Sequence, residues 1–138
     1  MNKIINSVNL TKVYGEKETS VTALDDVNVE FKENEFTAIM GPSGSGKSTL
    51  LHCLAGLDRP TSGQIFLREE DISTLNDKQL TKIRRDSFGF VFQAFNLIPT
   101  LTAEENITLP ASIAGRKPDM DWVKQVVDAV DIGDRLTH

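Results

Sequence analysis

Residues 41–51 read GPSGSGKSTLL and place three glycines, several hydroxyl side chains and one lysine between an apolar run, FTAIM, and a pair of leucines. Only residues without large side chains let the backbone wrap closely around an anion, so that consecutive N–H groups can donate to it. A helix that starts near Lys47 adds its own free N–H groups and the positive end of its dipole. The residue types therefore predict a site for a chain of phosphate groups.

The segment 41–48 fits the pattern G-x-x-x-x-G-K-[ST] of the P-loop. In that pattern the lysine ammonium reaches the terminal phosphates and the last hydroxyl ligates Mg²⁺, which are the roles predicted for Lys47 and Ser48. A glycine–serine linker is the alternative, but a linker is not followed by a leucine-rich helix. A dinucleotide-binding fingerprint is excluded, because Gly44-x-Gly46 lacks the third glycine of that motif.

The elements that must position this loop are strands before it and helices after it. Runs of β-branched and aromatic residues are typical of strands, and Asn34 tolerates the left-handed turn expected between two of them. Leucines recur at helical spacing after the loop, and Gly56 is placed to end that helix. Three prolines, Pro99, Pro110 and Pro118, are predicted to interrupt helical pieces after residue 93. The predicted strands are 5–15, 27–31, 36–40, 64–67 and 88–93, and the predicted helices are 47–55, 77–86 and 119–130.

Composition limits the classes of protein to which the chain can belong. Its 138 residues carry 20 acids and 15 bases, and the net charge of −5 argues against a nucleic-acid partner, which requires a basic surface. The basic cluster Lys78, Lys82, Arg84 and Arg85 is interpreted as the solvated face of a helix. The single cysteine, Cys53, excludes an internal disulfide and indicates a reducing compartment. No run approaches the ~20 apolar residues of a membrane span, so a membrane has to be reached through a partner.

Because P-loops occur in several enzyme classes, other motifs are needed to distinguish these classes. A GTPase carries Asp-x-x-Gly after a strand and a guanine-reading Asn-Lys-x-Asp. The tetrapeptide DSFG at 86–89 fits the first pattern but follows the charged Ile-Arg-Arg, and the second pattern is absent. These observations disfavour a GTPase. A small-molecule kinase stays open, although only the loop supports it.

Several further stretches resemble one family. KVYG lies at 12–15, GLDRPTSGQI at 56–65, FVFQ at 90–93 and NLIPTLTAEENITLP at 96–110. In combination with the P-loop they resemble the nucleotide-binding domain of an ABC transporter, and most closely the subgroup that energises lipoprotein release, macrolide export and peptide-antibiotic resistance. The resemblance implies an α/β fold, a P-loop NTPase of the ABC ATPase type with an N-terminal antiparallel β part and the start of a helical subdomain.

The resemblance also implies roles for individual residues. Tyr14 stacks on adenine, for which its planar ring is suited. Gln93 contacts the metal and the attacking water, and together with Lys47 it is a predicted catalytic residue. The predicted Mg²⁺ ligands are Ser48 and Gln93. The residues implied to hold the phosphates of ATP are Gly41, Pro42, Ser43, Gly44, Ser45, Gly46, Lys47, Ser48 and Thr49.

The family pattern is incomplete in this sequence. It continues with a Leu-Ser-Gly-Gly-Gln signature, an apolar strand ending in Asp-Glu and a switch histidine, and none of these is present. The acids of VVDAVD at 126–131 lie on the face of a helix opposite its valines, which disfavours a metal site. His52 and His138 are interpreted as structural or incidental. We therefore expect residues 1–138 to be a partial domain that is truncated before the signature, with a β-rich and P-loop part at 1–93 and the start of the helical subdomain at 94–138.

Partners follow from the same resemblance. We expect a transmembrane transporter subunit, contacted through the apolar connector 94–102, a second copy of the ATPase subunit, and a cytoplasmic location at the inner face of the membrane. The 138-residue chain is expected to bind ATP more weakly than a complete domain, to turn it over little or not at all, and to self-associate through uncovered apolar surface. A non-catalytic nucleotide-binding or interaction module remains the alternative.

Overall fold

The computed structural model describes residues 2–138, which form two compact units. The N-terminal unit runs to Arg84 and the C-terminal unit begins at Arg85. The strands are β1 (Lys3–Tyr14), β2 (Val21–Lys32), β3 (Ser62–Leu67) and β4 (Glu70–Asp71), and the helices are α1 (Lys47–Leu54), α2 (Asp77–Ser87), α3 (Ala103–Ile113) and α4 (Met120–Ala129), with short 3-10 turns at Lys17–Thr19 and Gly133–Arg135.

A four-stranded sheet is the frame of the N-terminal unit. Its order is β2-β1-β3-β4, and every neighbouring pair is antiparallel. β1 and β2 form a long hairpin in which Tyr14 lies opposite Val21, and β3 pairs with the other edge of β1. The predicted antiparallel β part and the predicted strands at 5–15, 27–31 and 64–67 are confirmed.

The core of this unit lies between the sheet and α1. Leu10, Leu24 and Ile65 point inward from the three long strands and are buried, as are Leu50 and Leu54 of α1. Burial of an aliphatic side chain contributes ~1.5–3 kcal/mol. This packing fixes α1 against β1 and β2 and so fixes the loop that precedes the helix.

The end of α1 shows why it is a short helix. Gly56 has a φ of +67°, the left-handed conformation that glycine adopts without strain, and the Leu57 N–H donates to the His52 carbonyl at 2.9 Å. The predicted cap at Gly56 is confirmed. Asn34 also has a positive φ, +60°, as predicted for the turn before the loop.

Two predicted strands are wrong. Residues 36–40 (FTAIM) and 88–93 (FGFVFQ) form no strand, and the side chains of Phe36 and Val91 are almost completely exposed. The residue types favour β structure, but a strand also needs a partner whose N–H and C=O groups it can pair with. Within residues 2–138 the sheet contains only β1 to β4, and these segments pair with none of them.

The C-terminal unit is helical. Thr102 and Glu105 form a capping box at the start of α3, and Asp119 caps α4 by accepting from the N–H groups of Asp121 and Trp122. The prediction that Pro110 interrupts the helix is wrong, because α3 continues through it to Ile113. The predicted C-terminal helix is confirmed, with Val127 buried. Of the helices that the structure describes, none combines the length and the apolar character needed to cross a bilayer.

Candidate functional site

Gly46 fixes the shape of the loop that the sequence singled out. Its φ is +90°, and a Cβ atom built on it would lie 2.4 Å from the Ala23 carbonyl oxygen of β2. Any side chain would therefore collide with the sheet backbone, so that only glycine allows the loop to pack here. Gly44, with a φ of +79°, has open space where its Cβ would be. The loop is thus packed against the sheet at Gly46, whereas no side chain covers its backbone at Gly44.

The start of α1 directs positive charge toward this open side. Gly46 is the N-cap residue and the helix begins at Lys47, so that the first N–H groups have no partner within the helix. No acidic residue lies in the first turn, and the positive end of the dipole is therefore not neutralised by a neighbouring carboxylate. Such a terminus attracts an anion.

The Lys47 ammonium lies across the mouth of the loop. It donates to the carbonyl oxygens of Gly41 and Pro42, both at 2.7 Å, and lies 3.4 Å from the Ser45 hydroxyl. The Ser45 N–H in turn donates to the Pro42 carbonyl at 3.2 Å, which closes the turn around Ser43. The loop carbonyls therefore hold the lysine charge at the place where the sequence predicted the phosphates.

Ser48 and Thr49 follow Lys47 in the first turn of α1. The Ser48 side chain is exposed, and that of Thr49 is half-buried. Exposed hydroxyl oxygen is a ligand that Mg²⁺ accepts, and the residue type therefore fits the predicted role of Ser48. Cys53, one turn further along, is fully buried, and burial raises the pKa of its thiol to about 11, so that it remains neutral.

Tyr14 ends β1 at the same end of the hairpin as the loop. β2 residues on either side of Ala23 pair with Lys12 and Val13, and Ala23 is the residue that Gly46 packs against. The ring is 41% exposed. The structure therefore brings Tyr14 and the loop 41–49 together in one unit.

A charged cluster that sequence reasoning missed holds Tyr14. Its hydroxyl donates to Asp58 Oδ2 at 2.6 Å, and Lys12 Nζ donates to Asp58 Oδ1 at 2.8 Å and to the Arg59 carbonyl at 2.6 Å. The Lys12 ammonium also lies 4.8 Å from the centroid of the Tyr14 ring. The sequence held one signal for this contact: KVYG, which contains Lys12 and Tyr14, and GLDRPTSGQI, which contains Asp58, are both among the motifs that resemble the family.

The cluster changes the proton affinity of its members. The hydrogen bond to Asp58 and then burial raise the pKa of the Tyr14 phenol, whereas the nearby Thr49 hydroxyl lowers it. The bond to Asp58 likewise raises the pKa of Lys12. For Asp58, burial is the largest influence and opposes ionisation, but the hydrogen bonds from Lys12 and Tyr14 together lower its pKa below the ordinary value. All three groups are therefore held in the protonation states that favour the cluster.

Gln93 belongs to the C-terminal unit, where it lies at an exposed bend. The segment that leads to it has no regular secondary structure, and the rings of Phe90 and Phe92 stack with their centroids 5.5 Å apart. In the part of the chain that the structure describes, no group of three or more His, Cys, Asp or Glu side chains could hold a metal ion. The roles of Gln93 and of the loop residues remain predictions.

Comparison with known proteins gives a consistent picture. A family model described as ABC transporter matches residues 24–138. The lipoprotein-releasing system ATP-binding protein LolD of Geobacter metallireducens is 42% identical over 140 residues, covering 100% of this chain and 62% of LolD. The macrolide export ATP-binding/permease protein MacB of Marinobacter nauticus is 42% identical over 137 residues, covering 98% of this chain and 21% of MacB.

A solved structure also matches. The dimeric post-hydrolysis state of the ATP-binding cassette MJ0796, bound to ADP and Pi, superposes with a TM-score of 0.84 at 42% identity, over 97% of this chain and 60% of that one. MJ0796 comes from Methanocaldococcus jannaschii. The predicted fold class and the predicted family resemblance are confirmed. The chain spans about 60% of the length of LolD and of the MJ0796 cassette, and a smaller share of MacB.

Proposed function

Because the chain belongs to the ABC transporter family, we propose that it forms the ATP-binding part of a transporter's ATPase subunit. It binds Mg-ATP through the loop 41–49, and within a complete domain hydrolysis of that ATP drives export through a membrane partner. The observation that carries the proposal is the loop itself, which Gly46 holds against the sheet while Lys47 lies across its mouth.

The loop grips the triphosphate with two kinds of group. Backbone N–H groups near Gly44 and at the start of α1 donate to phosphate oxygens, which is feasible because no side chain covers Gly44. The Lys47 ammonium adds a full positive charge at the loop, and it exchanges one of its present contacts to the loop for a phosphate oxygen when phosphate binds.

Ser48 would hold Mg²⁺, with Gln93 as a second ligand once the complete domain is assembled, since hydroxyl and amide oxygens suit this hard cation. When bound, the ion would neutralise part of the negative charge of the phosphates. The Gln93 carboxamide both donates and accepts, so it can also orient the attacking water in the complete domain. Its exposed position leaves it accessible for these contacts.

Tyr14 contacts the base. Its ring lies at the end of β1 beside the loop and remains partly exposed, as a stacking surface must be. Stacking on an aromatic side chain tolerates different bases and contributes ~1–3 kcal/mol per base.

The membrane partner and the second ATPase copy are part of the proposal. By name, LolD is the ATP-binding protein of a lipoprotein-releasing system and MacB is a macrolide export ATP-binding/permease protein, and the matched cassette is dimeric. We therefore place this chain at the cytoplasmic face of a membrane, bound to a transmembrane subunit through the exposed apolar residues Phe95, Leu97 and Ile98. The ATPase activity of the 138-residue chain alone is expected to be weak or absent.

Calorimetric titration with Mg-ATP tests the phosphate site. We expect the wild-type chain to bind, and Lys47→Ala to bind at least ~10-fold more weakly, because a charge-assisted contact to phosphate is lost. Lys82→Ala, which removes an exposed lysine of α2, is the matched control and should bind like wild type. No binding by wild type, or equal binding by Lys47→Ala, contradicts the proposal.

A further inference from the structure

We propose that Asp58 and Lys12 are positioning residues that hold the Tyr14 ring ready to stack on the nucleotide base, and thereby determine how much the base adds to affinity. This inference rests on the proposed function, because it concerns the base end of the same site. Neither residue is a phosphate or metal ligand in that proposal.

Tyr14 needs such support because of where it lies. It is the last residue of β1, its ring is 41% exposed, and Gly15 follows it with a positive φ. An exposed ring at a strand end samples several rotamers, and a ligand that stacks on it must select one of them at an entropic cost. A hydroxyl anchored at 2.6 Å to a carboxylate removes much of that freedom before the ligand arrives.

Asp58 is itself fixed to the helix that carries the loop. Its N–H donates to the His52 carbonyl at 3.2 Å, immediately after the Gly56 cap of α1. The carboxylate therefore moves with α1, and α1 begins at the phosphate loop. The hydrogen bond from Tyr14 thus connects the base end of the site to its phosphate end through one helix.

Lys12 completes the arrangement by occupying one face of the ring. Its ammonium lies 4.8 Å from the ring centroid, within the range of a cation–π contact, while it donates to Asp58 and to the Arg59 carbonyl. Its side chain is only 13% exposed. Since Lys12 covers one face, the opposite face is the one on which a base can stack.

The test separates base from phosphate by titrating the chain with Mg-ATP and with magnesium tripolyphosphate, which has no base. Asp58→Ala and Tyr14→Phe should each weaken Mg-ATP by about 3- to 10-fold, because the ring loses its anchor. Both variants should bind tripolyphosphate within about 2-fold of wild type, since no phosphate contact is removed. The double variant Tyr14→Phe/Asp58→Ala should bind Mg-ATP no more weakly than the weaker-binding of the two single variants, because Asp58 acts through the Tyr14 hydroxyl.

Asp71→Ala is the matched control. Asp71 is also partly buried and accepts hydrogen bonds from Ser73 and Gln64, but it lies on β4. The ratio of Mg-ATP affinity to tripolyphosphate affinity in Asp71→Ala should equal the ratio in wild type. Tyr14→Phe keeps the experiment decisive if Asp58→Ala does not fold, because Tyr14→Phe removes only one hydroxyl.

The outcomes distinguish this inference from the proposed function. If Lys47→Ala weakens neither ligand, the phosphate site itself is wrong. If Lys47→Ala weakens both ligands while Asp58→Ala and Tyr14→Phe leave the affinity ratio at its wild-type value, the phosphate site stands and the positioning role is overturned. Equal weakening of both ligands by Tyr14→Phe also overturns it, because the effect is then not specific to the base.

Discussion

The strands of the sheet and the two apolar segments 36–40 and 88–92 have similar residue types, but only the strands pair and bury their side chains. β2 and β3 both pair with β1, and Leu10, Leu24 and Ile65 are buried between these strands and α1. Residues 36–40 and 88–92 are as rich in β-branched and aromatic residues, yet they form no strand and most of their side chains are exposed. Residue types therefore indicate that a segment can form a strand, but it does so only where a partner strand is available.

The order of the chain explains the difference. β1 and β2 are joined by a short connection, so that their antiparallel pairing is local. The segments 36–40 and 88–92 precede the phosphate loop and Gln93 in the chain, and within residues 2–138 neither pairs with a strand of the sheet.

The largest contrast is expected between core and segment substitutions. Ile65→Ala, at a position that is 1% exposed, should lower the free energy of unfolding by ~2–4 kcal/mol, because a cavity forms in the core. Val91→Ala should change it by less than ~0.5 kcal/mol, because that side chain is already in water. Urea denaturation measures both values. A loss at Val91 comparable with that at Ile65 would show that the segment is packed.

A smaller difference is expected between two glycines of the loop. Gly46→Ala should destabilise the chain by ~2–3 kcal/mol, because its methyl group meets the Ala23 carbonyl at a positive φ. Gly44→Ala has the same unfavourable φ but open space, and should cost only ~1 kcal/mol. Thermal unfolding of the two variants compares them. Equal losses would contradict the close packing of Gly46 on the sheet.

The exposed segments also predict association between copies. We expect light scattering to show that the chain self-associates at high concentration, because Phe36 and Val91 present apolar surface and unpaired backbone. The double variant Phe36→Ser/Val91→Ser should be more monomeric, whereas Thr37→Ser, an exposed polar control in the same segment, should behave like wild type. A wild-type chain that stays monomeric at every concentration would refute this.

The smallest effect concerns proton binding by the Tyr14 cluster. Tyr14 is the only tyrosine, so that absorbance reports its ionisation alone. We expect its pKa above the ordinary value of ~10, and a lower pKa in Asp58→Asn, because the hydrogen bond to the carboxylate favours the neutral phenol. A Tyr14 pKa at or below that of free tyrosine would contradict the hydrogen bond.

The same shifts fix the pH dependence of stability. Tyr14 and Lys12 have raised pKa values in the folded chain, so the stability they contribute is present below their unfolded pKa values and is lost as pH rises through the folded ones. Asp58 has a lowered pKa, so its contribution is present above the unfolded value of ~3.9 and is lost as pH falls through the folded one. Thermal unfolding in acid and above pH ~10 should therefore depend less on pH in Asp58→Asn.

Local signals made most elements predictable. The leucine spacing and Gly56 predicted α1, the valine spacing predicted α4, and Asn34 marked a left-handed turn. Pairing over long distance cannot be predicted from residue types, which is why the residues at 36–40 indicate a strand that the structure does not contain. The contact between Tyr14 and Asp58 was missed for the same reason: 44 residues separate them, and only the packing of β1 beside α1 brings them together.

The most direct test of the phosphate site is an amide NMR titration of the chain with Mg-ATP. The site described above predicts that the largest shifts fall on residues 43–49, where the loop and the first turn of α1 present their N–H groups, and that tripolyphosphate reproduces them. If these amides stay unmoved while signals elsewhere shift, the loop is not the phosphate site and the proposed function is contradicted.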